Sequence, residues 1–134
     1  MSKKKTASQW PDGIEPATGP HSVARIINVD RAASRQLAFA TLIADVCAVY
    51  GVTEASLLNP HTRNRGLCDM RRTAMALTEA RMPTETGLTK AALWHMALGS
   101  WRDNLARHRD LLHVKDRTYT AAWNRVKHLA GGIA

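Results

Sequence analysis

Apolar residues in this chain return every three or four positions, and nowhere do they alternate with polar ones over a strand's length. That period admits helices with one buried stripe and excludes sheets. Phe39, Ile43, Val46 and Tyr50 step by four, three and four, with Leu42 and Val49 beside them. Leu67, Met70, Ala74 and Leu77 step by three, four and three. The expected class is all-α, a small helical bundle. Ala, Leu, Arg and Met are plentiful while aromatic residues make up 5% of the chain, which favours helix in the same direction.

Punctuation residues divide the pattern. Residues 1–29 contain Trp10-Pro11-Asp12-Gly13, Glu15-Pro16 and Gly19-Pro20, a density of breakers that reads as a flexible tail. Residues 30–130 read as one helical domain. Asp30 is the expected N-cap of a first helix that Gly51 stops, and Thr53 caps a short turn ended by Asn59-Pro60. A polar, basic link over His61–Gly66 leads into a helix to Arg81, closed by Met82-Pro83. Within an additional segment at 84–103, Thr89 is the expected cap of a short helix around Trp94, ending at Gly99. Ser100 is the expected cap of the next helix, and a final one holds Tyr119, Ala122, Trp123, Val126 and Leu129 before Gly131-Gly132.

The charge is uneven. From His61 onward there are 13 Lys and Arg against 6 Asp and Glu, while residues 1–60 carry 6 against 5, so the second half holds +7 of the formal +8. A helical domain with one strongly positive side is the electrostatic signature of a phosphate-binding surface. Other classes fare worse. No H-x-x-x-H lies on one helical face, and Cys47 and Cys68 lack ligand spacing, so no metal or other cofactor is expected. No paired carboxylates or nucleophile elbow mark an enzyme. The longest apolar stretch, Leu37–Tyr50, is broken by Thr41 and Asp45 and is read as too short to cross a bilayer. Unpaired cysteines fit a reducing cytoplasm, and no membrane association is expected.

Two helices joined by a short polar turn have the layout of a helix-turn-helix, whose second helix enters the major groove N-terminus first. Here that end carries Lys115, Asp116, Arg117, Thr118 and Thr120. An arginine there can make a bidentate contact to guanine, and a threonine can bond a base or pack on a thymine methyl. Upstream, Arg63 and Arg65 lie in a loop before a helix carrying Arg71 and Arg72; loop arginines suit a minor groove and helix arginines suit phosphates. His95 and His108 are expected to pack or to meet phosphate, and Asp69 and Glu79 to be solvated or ion-paired. Trp94, Trp101 and Trp123, at helical spacing, are expected in the core rather than stacked on bases.

These residues also resemble a family. The run from Val46 to Leu58 resembles V-A-x-x-Y-x-V-x-x-x-D-L-L, the opening of the C-terminal DNA-binding domain of the bacterial replication initiator DnaA. Arg63-x-Arg65, followed by Arg71-Arg72-Thr73-Ala74-Met75-Ala76-Leu77, is similar to that family's R-x-R…R-Q-x-A-M-x-L at the same offsets. Asn104-Leu105 through Lys115–Thr120 resembles S-L-x-E-I-G-x-x-F-G-G-R-D-H-T-T-V, best with a one-residue slip of the apolar stripe. The resemblance implies a Trp-repressor-like domain that binds specific double-stranded DNA. Arg63 would take the minor groove, Arg71 and Arg72 phosphates, and Lys115, Asp116, Arg117 and Thr118 the major groove.

Departures shape the expectation. His108 stands where the family has isoleucine, and His113-Val114 replace its Gly-Gly turn. The segment between Arg81 and Asn104 is longer than the family's and offers a place for a partner or self-contact. No G-x-x-x-x-G-K-[ST] loop is present, so the chain is not an initiator acting alone. What remains is a stand-alone transcription regulator, as in activators of gene transfer agents, with RNA polymerase or another regulatory protein as a further partner. The alternatives are an adaptor at a replication origin or at RNA polymerase, a repressor, and an RNA-binding accessory protein.

Overall fold

A computed structural model of the chain describes residues 20–131. In chain order the elements are α1 (Pro20–Tyr50), α2 (Glu54–Leu58), α3 (Arg65–Arg81), α4 (Gly87–Leu93), α5 (Leu98–His113) and α6 (Arg117–Val126), with a closing 3₁₀ segment, Lys127–Gly131. The expected all-α class is what the chain adopts, with no strand among the described residues. The chain divides into two units, the first ending at Arg35 and the second beginning at Gln36. Described residues of the first are the N-terminal part of α1. The second holds the rest of α1, every other element and the core.

Helix α1 begins at Pro20 rather than at the expected Asp30. Proline suits a first helical position, where its fixed φ is already helical and its missing N–H has no partner to lose. No glycine or proline interrupts residues 21–50, so nothing stops the helix before Gly51. The tail expected over residues 1–29 is thus helical from Pro20, and residues 1–19 lie outside those described.

The predicted stripe of α1 is buried: Leu42, Ile43, Val46 and Tyr50 pack with Leu57 of α2, Ala74, Met75 and Leu77 of α3, Trp101 of α5 and Val126 of α6. Between Asp30 and Tyr50 the helix does reach the length and composition of a membrane span, at 21 residues and mean hydropathy 1.3. The apolar side chains of its stripe face the bundle's own core, while 22% of the window as a whole is buried. Trp94 is also in that core. Its ring meets Phe39 edge-on at 5.5 Å and its indole N–H donates to Thr78 Oγ1 at 3.0 Å. Trp94 thus lies in the core, as expected, while Leu88, from the segment expected to offer a place for a partner, is exposed. Trp101 is buried and Trp123 partly so, and both cysteines are free.

Three helices end in the same way, with one residue in the left-handed region. Gly51 (φ 71°) ends α1, His95 (φ 55°) ends α4 and Lys115 (φ 57°) ends α5. In each, the next N–H reaches back to a carbonyl five residues earlier: Val52 to Cys47 (3.2 Å), Met96 to Ala91 (3.0 Å) and Asp116 to Leu111 (3.0 Å). This is the Schellman closure, which satisfies otherwise orphaned carbonyls. Its use at His95 moves the end of α4 well before the expected Gly99. The start shifts too: Thr86, not Thr89, caps α4, accepting from Thr89 N at 3.1 Å, and α5 starts at Leu98 rather than after Ser100. At the C-terminus, α6 gives way to the 3₁₀ segment after Val126, before the expected glycine stop.

Candidate nucleic-acid interface

The turn between α5 and α6 is built from two caps sharing one residue. Lys115 adopts the left-handed conformation, and Asp116 both donates its N–H to Leu111 O and caps α6, its Oδ2 accepting from Tyr119 N at 2.9 Å. A turn this short fixes where α6 begins. Lys115, Arg117 and Thr118 are exposed there, at the end of a helix whose first N–H groups have no intrahelical partner. Thr120 differs from them: its hydroxyl oxygen is shielded from solvent and finds no hydrogen-bond partner among the described residues.

Helix α3 presents two distinct rows. Arg65, Asp69 and Arg72 step by four and three along one face, where Asp69 lies 4.0 Å from the Arg65 guanidinium and 3.6 Å from that of Arg72. Arg65 also reaches Asp116 Oδ1 at 3.7 Å, so the start of α3 and the start of α6 share one surface. Asn64 caps α3 by accepting from Leu67 N at 3.0 Å, which places exposed Arg63 in the loop just before it. Arg107 of α5 is a third cation acting on Asp69. Arg71 belongs to the other row. Its guanidinium lies 5.7 Å over the Trp94 ring, burial lowers its pKa, and its Nε makes no hydrogen bond to a described residue. Residues adjacent in a helix point about 100° apart, so Arg71 and Arg72, paired by the sequence reading, face different neighbours.

Asp69 is the residue whose importance the sequence understates. It is 5% exposed, and burial raises its pKa, with Asp116 adding to the rise and Arg65, Arg72 and Arg107 opposing it. An isolated carboxylate at that depth would be neutral; here guanidinium groups surround it. The i, i+3 and i, i+4 spacings to Arg72 and Arg65 were the available signal.

Beneath α6 lies a polar contact between helices. Tyr119 Oη and His108 Nδ1 are 2.5 Å apart, and the imidazole also meets the Trp123 ring edge-on at 4.7 Å. Desolvation, with Arg109 and Arg72 adding to it, lowers the His108 pKa to about 4. The ring is therefore neutral near pH 7 and shares one hydrogen bond between Nδ1 and the tyrosine hydroxyl, its direction set by the ring's tautomer. His108 packs, as one of its two expected roles has it. Tyr119, a member of the expected apolar stripe, is buried in α6, and Thr120 is half-buried. A second strut holds α6 from the other side: Tyr50 Oη donates to Ala122 O at 2.9 Å and lies 2.7 Å from Thr73 Oγ1.

Several other cations are occupied within the fold. Arg125 donates to Val49 O at 2.8 Å at the end of α1 and stacks over Tyr50, Arg81 donates to Leu129 O at 3.3 Å, and Lys90 pairs with Glu79 at 2.8 Å. Removing these from the count leaves the positive surface concentrated around the beginnings of α3 and α6 and on α5. No metal-binding group of His, Cys, Asp or Glu occurs among the described residues. Compared with known proteins, the chain matches no protein-family model, no curated protein and no solved structure.

Proposed function

We propose that this chain is a sequence-selective, double-stranded DNA-binding transcription regulator. In this reading α6 enters the major groove with Arg117, Thr118 and Lys115 toward base edges, while Arg65 and Arg72 meet backbone phosphates and Arg63 lies along the minor groove. The observation that carries it is the contact of Arg65 with Asp116, which sets the basic start of α3 beside the exposed start of α6. The resemblance to the DnaA DNA-binding domain points the same way, and with no ATPase loop the chain acts as a regulator, with activation of a phage-like or gene-transfer-agent gene cluster the role that resemblance suggests.

Selection from a random duplex pool, followed by fluorescence anisotropy on the enriched sequence, tests it. The expected result is an enriched motif whose affinity falls steeply with salt. Arg117→Ala weakens the enriched site by about 1–3 kcal/mol and blurs the preference, while Arg65→Ala weakens all duplexes alike and shallows the salt slope by about one unit. No enrichment, together with salt-insensitive or absent duplex binding, overturns the proposal in favour of a protein adaptor.

A further inference from the structure

We infer that Asp69 is a positioning residue of this face, gathering the guanidinium groups of Arg65 and Arg72 into a cradle for one DNA backbone phosphate. The inference rests on the duplex-binding reading and deepens it by naming the group that orders the cations. A lone carboxylate among phosphate-binding arginines looks self-defeating, since it repels the ligand they attract. Its place in the fold resolves the contradiction. Asp69 is buried at 5% exposure, and its side chain sits one helical turn from both arginines. Arg65 is exposed, at 72% of its side chain, and Arg72 is only 22% exposed. Ordinarily an exposed arginine samples many rotamers and loses that freedom when it grips a ligand. A fixed charge beneath it removes part of that freedom beforehand.

Geometry favours this over a plain stabilising ion pair. The closest approaches, 3.6 and 4.0 Å, are longer than charge-assisted hydrogen bonds, and Asp69 Oδ2 accepts no hydrogen bond from a described residue. The arginine donors are therefore not saturated by the carboxylate. Two groups flank the pair: Arg107 from α5, felt by Asp69 through space, and Asp116 from the α6 cap, 3.7 Å from Arg65. Arg65 is thus drawn from both sides into the space between α3 and the start of α6, where a strand following α6 would place its phosphates. Arg72, half-buried beneath, forms its ion pair with Asp69.

The test exploits a sign. Asp69→Asn removes a negative charge from the DNA-facing side, so electrostatics alone makes binding tighter, whereas loss of positioning makes it weaker. The full-length chain is titrated into a fluorescein-labelled random-sequence duplex of 30 base pairs at several salt concentrations, after circular dichroism shows the variant folded. The expected result is affinity about fivefold or more below wild type, with the salt slope shallower by about one, the signature of one lost phosphate contact. In an Arg65→Ala/Arg72→Ala background the same substitution no longer weakens binding. Equal or tighter binding by Asp69→Asn overturns the inference while leaving duplex binding intact. If the Asn variant does not fold, Asp69→Glu replaces it: charge is kept and the carboxylate moved by one methylene, so weaker binding supports positioning and unchanged binding overturns it. A wild-type chain that ignores the duplex removes the functional reading and this inference together.

Discussion

Acidification should loosen this fold through a single histidine. His108 has a pKa near 4 in the folded chain against an ordinary 6.5, because burial under α6, with Arg109 and Arg72 nearby, disfavours the imidazolium. A group that resists protonation only when folded contributes stability above its unfolded pKa, and that contribution disappears as pH falls from about 6.5 toward 4. Between pH 8 and pH 4.5, linkage between those two values gives a loss of roughly 2.5 kcal/mol, a large share of a small domain's stability. Asp69 works in the opposite sense: its raised pKa means the folded chain accepts that proton first, so acidification through the carboxylate range returns some stability. Urea unfolding followed by tryptophan fluorescence, for wild type and for His108→Leu/Tyr119→Phe at both pH values, isolates the histidine. The double variant avoids leaving the Tyr119 hydroxyl buried without its partner, and carboxylate effects are common to both proteins. The variant should lose roughly 2.5 kcal/mol less than wild type over that interval. If the two proteins lose the same amount, His108 is not held neutral by the fold.

The other expectations concern backbone and struts. His95→Gly and Lys115→Gly should each raise stability by about 1 kcal/mol, since both residues occupy a left-handed conformation that costs little only for glycine; thermal melting reads the gain. Lys115→Gly should also weaken duplex binding, separating stability from affinity in one variant. Gly51→Ala should cost about 1 kcal/mol by the same argument, although an added Cβ meets no atom within 4 Å there, so the penalty is conformational rather than steric. Tyr50→Phe should cost about 1–2 kcal/mol by breaking the contacts of α1 with Thr73 and Ala122, measured by urea unfolding.

How much of this was legible follows from which interactions are local. The stripe Phe39–Ile43–Val46–Tyr50 names its own buried face because helical spacing is a property of the sequence alone. Gly51 announces a helix end because glycine is the usual residue at a left-handed closure. His95 and Lys115 perform the same closure without that signal, so α4 ends before the glycine that the sequence offers as its stop. Asp116 lies at the expected start of the last helix, and its role as the cap of α6 follows the ordinary preference for a short acceptor side chain. Asp30 offers a plausible N-cap and the breakers before it suggest a tail, yet Pro20 itself is compatible with a first turn, and proline's preference there outweighs its reputation as a breaker.

The arginines show where reading along the chain stops working. Arg71 and Arg72 are neighbours in sequence and share a charge, which suggests a pair; the helix turns them toward Trp94 and toward Asp69 respectively. Periodicity predicts that the two diverge, but not what each then meets, because Trp94 arrives from a different helix. The same holds for Arg125 and Arg81, whose carbonyl partners lie 76 and 48 residues away in sequence. Net charge therefore overstates the surface available to a polyanion: four of the cations in the basic half, Arg71, Arg81, Lys90 and the exposed Arg125, are each engaged by a ring, a carbonyl or an ion pair of the chain itself. The measurable consequence is that substituting these four should alter stability before it alters the salt slope of duplex binding, whereas Arg65 and Arg117 should do the reverse. If Arg71→Ala shallows the slope as much as Arg65→Ala does, the division of α3 into two functional rows is wrong.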